Sequence, residues 1–290
     1  MQPLVSILMT SYNREKYIVE SIESILALNY TNWELIITDD CSTDETYKIA
    51  QQYQAKDSRI KVYKNEKNLG DYLNRNKAAS YAQGVYLKYL DADDTIYKYS
   101  LDYMVEAMLA NPDAALGITF SVFDDDKPYP HVSTPTETYY VEYLDKGILG
   151  CGPSAAIIKR EVFEKLNGFS GKQFIGDHEL WLRIAAEYNV VKLQPSLIWW
   201  RKHPEQQIQE EWKNYKIINV RFQQSLSTLL LSKRFFTDEK FKQAKIKLTR
   251  TYARHLLRMM LFERKFKPGF NLWRLSGLSF FQLLSGFKSV

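Results

Sequence analysis

The sequence predicts an α/β fold, a mostly parallel central sheet flanked by helices with a C-terminal helical extension. Three observations predict it. Apolar strand patterns and helical patterns alternate four times within the first 95 residues, and that alternation produces parallel strands joined by crossover helices. Polar or acidic clusters follow the first, second and fourth strand patterns, at the carboxyl ends where open α/β sheets bind ligands. Beyond Trp212 the strand signal stops, and the chain reads as helical and basic.

Val5-Ser6-Ile7-Leu8-Met9-Thr10 is the first strand. Asn13 is placed to cap the next helix, with Glu15 in a first turn whose dipole favours an acid. Ile18, Ile22, Ile25 and Leu26 recur at helical spacing and give that helix a buried face. Trp33-Glu34-Leu35-Ile36-Ile37-Thr38 is the second strand and runs into Asp39-Asp40, after which Ser42 or Thr43 starts a helix to about Tyr53. Ile60-Lys61-Val62-Tyr63 is the third strand. Asn68-Leu69-Gly70 is a turn before a helix over 72–82. Gly84 leads into the fourth strand, 85–90. Residues 114–123 and 154–158 read as strands, the latter followed by a short helix ending at Asn167-Gly168. Three prolines and three consecutive aspartates make 124–138 read as a mobile loop. Leu180, Ile184 and Ala185 mark a helix over 177–188, and 190–200 returns as a strand. These patterns divide the chain into a catalytic-type domain, 1–212, and a basic helical extension, 213–290.

The chain has 290 residues, with 45% hydrophobic and 25% charged, ordinary proportions for a globular protein. Two cysteines, Cys41 and Cys151, lie in no metal-type spacing, which argues against a disulfide framework or a zinc site. The N-terminus does not read as a secretory signal, and no apolar stretch approaches the roughly 18–20 residues of a membrane span. A cytoplasmic location is expected. The net charge of +5 hides an asymmetry. Residues 216–290 carry 16 Lys and Arg against 3 Asp and Glu, a net of +13, whereas residues 1–215 carry 23 against 31, a net of −8. A basic tail on an acidic body points to two parts with different partners.

Asp91, Asp93 and Asp94 fall within four residues directly after the fourth strand. Closely spaced carboxylates at such a point suit a hard divalent cation that also takes substrate phosphate oxygens. A solvated acidic turn is the alternative. Thr10 and Tyr12 end the first strand, where an aromatic ring can stack on a flat base or pack in the core. Asp39 and Asp40 stand beside them. A carboxylate there can accept the ring N–H of uracil or thymine, or cap a helix.

In order and spacing, the blocks 5–13, 33–44, Asn74-Arg75-Asn76, 90–94 and 176–183 resemble family 2 glycosyltransferases, inverting nucleotide-sugar enzymes with the Rossmann-like GT-A fold. The resemblance covers residues 3–210 and excludes the basic tail. It implies that Thr10, Tyr12, Asn13, Asp39, Asp40, Arg75 and Asp91 bind the nucleotide, Asp91 being the first Asp of the DxD motif and Arg75 facing the phosphates. It implies that Asp93 and Asp94 hold a divalent cation, Mn2+ or Mg2+, with His203 of the Trp200-Arg201-Lys202-His203 block as a further ligand or diphosphate contact. Gly176-Asp177-His178-Glu179-Leu180-Trp181-Leu182-Arg183 matches the family's base-bearing block, with Gly176 where a Glu is usual. Asp177 is the implied catalytic base and Glu179 the second choice. Pro153 and Ser154 resemble the start of an acceptor-facing strand.

The implied partners are a nucleotide-sugar donor, a UDP-sugar first, and a saccharide or lipid-linked acceptor of bacterial surface polysaccharide. A sugar nucleotidyltransferase would need a glycine-rich loop after the first strand, and Thr10-Ser11-Tyr12-Asn13-Arg14-Glu15 has no glycine. An inactive carbohydrate-binding scaffold should have lost its carboxylates. A nucleic-acid partner is not expected, because the tail shows no aromatic-basic interleaving on a defined module. The tail's amphipathic, positively charged helix around 241–261 and its apolar, aromatic-rich segment around 270–287 either pack on protein, including another subunit, or bind an anionic membrane surface peripherally, on its inner face.

Overall fold

The computed structural model describes residues 2–119, 127–203 and 215–288. It divides into two compact units, 1–135 with 149–202, and 136–148 with 203–290.

The first unit is built on an eight-stranded sheet. Its strands are β1 Val5–Ser11, β2 Trp33–Asp39, β3 Ile60–Lys64, β4 Tyr86–Tyr89, β6 Ala114–Thr119, β7 His131–Ser133, β8 Ala156–Lys159 and β9 Asn189–Leu193. The spatial order is β3-β2-β1-β4-β8-β6-β9-β7. Only β8 and β7 run against the others, so the sheet is mostly parallel, as expected. β1, β2, β4 and β6 are buried along almost their whole length, which is why they read as continuous apolar runs and not as alternating ones. Among the helices of this unit, α1 Ile18–Leu26 buries Ile18, Ile22 and Ile25, and α4 Ser100–Leu109 buries Leu101, Met104, Val105 and Met108. Helices α2 Thr46–Gln54 and α3 Asp71–Ala79 follow β2 and β3. Gly84 precedes β4 because a Cβ there would stand 2.5 Å from the Ser6 nitrogen of β1.

Several local expectations are corrected. Asn13 does not cap α1. It sits at φ 52°, and α1 begins at Ile18 without a side-chain cap. The expected strand over 190–200 is broken. Pro195 has no N–H for a ladder and Ser196 takes φ 63°. β9 therefore ends at Leu193, and β10 Ile198–Trp199 pairs instead with β5 Thr95–Ile96 in a separate two-stranded sheet. The expected loop over 124–138 includes the edge strand β7 and the start of α5 Pro135–Leu144. Its residues 124–126, like the end of the expected strand over 114–123, lie outside the described residues. The expected strand at 154–158 starts as a 3-10 turn, Pro153–Ala155, before β8, and α6 Arg160–Lys165 follows.

The second unit is helical, as expected of the extension. Its helices after α7 Gly176–Ala185 of the first unit are α8 Lys216–Leu231, α9 Asp238–Leu261, α10 Phe266–Ser276 and α11 Phe280–Leu284. Phe222, Tyr252, Ala253, Leu256, Leu257, Met259, Leu272 and Leu283 form its core. Thr237 caps α9 by accepting the Lys240 N–H at 3.3 Å. Tyr139 and Tyr140 of α5 stack on Phe235 and Phe236. His203 belongs to this unit and is buried.

Candidate active site

The parallel register sets the site. Ser11, the last residue of β1, pairs with Asp39, the last of β2, and Leu8 pairs with Tyr89 of β4. Three acid- or hydroxyl-bearing strand ends thus lie side by side. Thr10 is half-buried and Tyr12 is 46% exposed just beyond β1. Asn13 joins the loops after β1 and β2. Its N–H donates to Ser42 Oγ at 2.9 Å, and its Oδ1 accepts the Thr43 N–H at 2.9 Å.

Asp39 and Asp40 are both buried but differently employed. Asp40 accepts Leu69 N–H at 2.8 Å, Gly70 N–H at 2.9 Å and Asn65 Nδ2 at 2.8 Å, so its two oxygens tie down the 65–70 loop. Asp39 Oδ1 accepts the Ser42 N–H at 3.0 Å, while among the described residues Oδ2 has a long contact from Ser11 Oγ at 3.4 Å. A carboxylate oxygen has two lone pairs, so Asp39 keeps acceptor capacity.

The turn after β4 closes through the Asp94 N–H on the Asp91 carbonyl at 3.0 Å. Carboxylate oxygens of Asp91, Asp93 and Asp94 lie within 4.8 Å of one another. Arg75 Nη1 meets Asp91 Oδ1 at 2.7 Å, and Arg14 Nε meets Asp93 Oδ2 at 2.9 Å. Asp94 accepts the Arg201 N–H at 3.1 Å. Burial works against the charge on Asp91, but Arg75 outweighs it and holds that carboxyl below the usual range. Burial, then the charges of Asp91 and Asp93, push Asp94 up to about 8. The cluster gathers three carboxylates in one turn, and its donors are hard oxygens. Both properties fit a divalent cation.

Arg75 is buried on α3, where Asp71 one turn earlier also meets its Nε at 2.8 Å. The charge of this guanidinium also acts on Asp177. Burial raises the Asp177 carboxyl, while the His178 N–H at 2.7 Å, a Tyr72 hydrogen bond and the charge of Arg75 pull it back. Asp177 therefore stands above the usual carboxylate range, half-buried in the first turn of α7. Glu179, two residues on, accepts Ser170 Oγ, meets Lys172 Nζ at 3.2 Å and lies 3.9 Å from Arg183. Gly176 is explained by packing. A Cβ there would stand 2.8 Å from the Tyr72 ring, so the usual glutamate would collide with it.

Sequence reasoning assigned no role to three residues that organise the cluster. Arg14 pins Asp93. Arg201 donates from Nε to the Asp93 carbonyl at 2.9 Å as well as from its backbone to Asp94. Lys88, a lone charge within the apolar run of β4, is fully buried and donates to the carbonyls of Tyr89, at 2.7 Å, and Ser154. Burial lowers its ammonium to about 7, against the pull of Asp91 and Asp94. Ser154 Oγ in turn accepts the Asp91 N–H at 3.0 Å. The available signal was positional: a basic residue just past the first strand, one inside the fourth, and one at the end of the β10 segment.

The family model for glycosyl transferase family 2 matches residues 6–167. TuaG of Bacillus subtilis (strain 168), a glycosyltransferase named for teichuronic acid biosynthesis, is 39% identical over 152 residues, 52% of this chain and 60% of TuaG. The UDP-Glc:alpha-D-GlcNAc-diphosphoundecaprenol beta-1,3-glucosyltransferase WfgD of Escherichia coli is 34% identical over 190 residues, 64% of this chain and 72% of WfgD. S. aureus TarS 1-349, crystallised in complex with UDP-GlcNAc, has the same fold with a TM-score of 0.62 at 17% identity, over 94% of this chain and 90% of that one.

Proposed function

The chain belongs to glycosyl transferase family 2, and from that premise we propose that it transfers a sugar, with inversion, from a nucleotide-diphosphate donor to a saccharide or lipid-linked saccharide. A UDP-sugar is the donor that best suits the site, and bacterial surface polysaccharide synthesis is the setting that the relatives' names support. The observation that carries the reading is the grouping of three carboxylates within 4.8 Å at the end of β4, with Arg75 paired to Asp91 and the raised carboxylate of Asp177 on α7.

The roles are those the family resemblance implies, and the geometry is compatible with them. Exposed Tyr12 stacks on the base, and Asp39, which keeps a lightly used oxygen, accepts the ring N–H of uracil. Asp40 shapes the loop around them. Asp91, held by Arg75, faces the ribose or donor sugar. Asp93 and Asp94 hold a divalent cation, Mn2+ or Mg2+, which when bound offsets charge on the departing diphosphate. Asp177 takes the proton of the acceptor hydroxyl as its oxygen attacks the anomeric carbon. The bond from that carbon to the diphosphate breaks as the new glycosidic bond forms, and the nucleoside diphosphate leaves with the electron pair. A single displacement of this kind inverts the anomeric centre. Asp177 suits the role better than Glu179, because burial raises its proton affinity while Lys172 and Ser170 already occupy Glu179. The basic second unit brings the enzyme peripherally to an anionic membrane surface, where a lipid-linked acceptor lies.

The test is turnover of a panel of UDP- and dTDP-sugars by the full chain, with and without Mn2+. Divalent-dependent turnover and a β-linked product from an α-linked donor are expected. An α-linked product rules out the inverting mechanism, and turnover unchanged by chelator and by Asp93→Ala rules out the metal.

A further inference from the structure

The second unit uses most apolar residues of its long helix α9 internally. Tyr252, Ala253, Leu256, Leu257 and Met259 are buried in its core, joined by Leu272 of α10 and Leu283 of α11. These two short helices leave aromatic rings outside. Phe270 is 49% exposed, Phe280 56% and Phe281 84%. Their rings are contiguous: Phe270 meets Trp273 at 5.5 Å between centroids, Trp273 meets Phe280 at 6.3 Å, and Phe280 meets Phe281 at 6.4 Å. Trp273 is half-buried against the core and joins the exposed Phe270 to the exposed Phe280 and Phe281; a contiguous aromatic ridge of this kind marks an interaction surface, where scattered exposed apolar residues would not.

The charge around the ridge selects the partner. Residues 266–288 contain Lys267, Arg274 and Lys288 and no acidic residue, and Lys267 and Arg274 are exposed on α10 itself. A second copy of the same surface would set like charges against each other. An anionic lipid surface is complementary to them, and its interface accepts aromatic rings beside basic groups. Among the described residues no helix is long and apolar enough to cross a membrane, so the contact is one that lies in the interface.

We propose that the aromatic ridge Phe270–Trp273–Phe280–Phe281 on α10 and α11 is the element that enters an anionic bilayer surface, with Lys267 and Arg274 on the headgroups. This rests on the membrane reading given above and names its contact surface within the basic second unit.

The experiment is co-sedimentation of the full-length protein with phosphatidylglycerol-containing vesicles and with pure phosphatidylcholine vesicles at low and high salt. The wild type should bind the anionic vesicles at low salt and leave them as salt rises. Phe280→Ser with Phe281→Ser should lower the partition coefficient at least about tenfold, with circular dichroism and donor hydrolysis unchanged. Should that pair disturb the core, Phe281→Ser alone serves, since its ring is mostly in solvent; it should lower binding by severalfold. Wild-type protein that ignores anionic vesicles at low salt overturns the membrane reading and the ridge with it. Folded ridge variants that bind like wild type overturn the ridge alone and leave the membrane reading standing. A wild-type dimer that Phe281→Ser dissociates, with vesicle binding unchanged, assigns the ridge to self-association and overturns the proposal.

Discussion

Replacing Asp94 with Asn should remove most of the pH dependence of divalent-cation binding. Burial first, then the charges of Asp91 and Asp93, take this carboxyl from 3.8 to about 8. A cation that binds the carboxylate must displace the proton below that value. At pH 7 about one site in ten is ionised, so apparent affinity sits about tenfold below its plateau, and about a hundredfold below at pH 6. Affinity should therefore rise about tenfold per pH unit up to about pH 8 and then level off. Titration calorimetry with Mn2+, in buffers of differing ionisation heat, reads the proton directly. About 0.9 proton should leave per ion at pH 7 and about 0.1 at pH 9. Asp94→Asn should bind more weakly but with a flat profile. The same shift acts on stability with a definite sign. Between about pH 4 and pH 8 the metal-free fold keeps a proton that the unfolded chain has lost, so its stability falls as pH rises through that window. Asp94→Asn should accordingly raise the metal-free melting temperature at pH 8 and change it little near pH 4. A wild-type Mn2+ affinity that stays constant from pH 6 to pH 8 would refute the reasoning.

Asp177→Asn should leave donor binding intact while transfer falls by about 10²- to 10⁴-fold. Because burial raises this carboxyl, the wild-type rate should climb with pH through a value above the usual carboxylate range; an active Asp177→Asn beside a dead Glu179→Gln would move the base to Glu179. Arg75→Met should strand the half-buried Asp71 and Asp91 without their buried cation and cost up to about 3–5 kcal/mol in urea unfolding. Arg75→Lys should recover part of that loss, and a neutral Arg75→Met would show that these two ion pairs do not hold the site together.

The sheet was legible because its strands are covered on both faces. That burial demands the largely apolar runs of β1, β2 and β4, and a run of that kind is visible without coordinates. The carboxylates were legible for the complementary reason: Asp39, Asp40 and Asp91 to Asp94 stand where those runs stop, and acids cannot continue them. Local composition was a poorer guide where partners come from afar. Asn13 looked like a cap, but its hydrogen bonds go to Ser42 and Thr43, about thirty positions on. The 190–200 run looked like one strand, but its second half pairs with Thr95–Ile96.

What the sequence determined by itself was the periodicity of each element and the chemical types at the strand ends, because both are local properties of neighbouring residues. Only the tertiary structure decided how those groups are paired. It put Arg75 on Asp91, Arg14 on Asp93, Arg201 beside Asp94, and the buried Lys88 on the Ser154 carbonyl. It also turned Leu272 and Leu283 into core while leaving Phe280 and Phe281 in solvent. Charge states and exposure depend on neighbours tens of residues away. That distance-dependent electrostatics and burial is a property of the folded arrangement, and no local pattern encodes it.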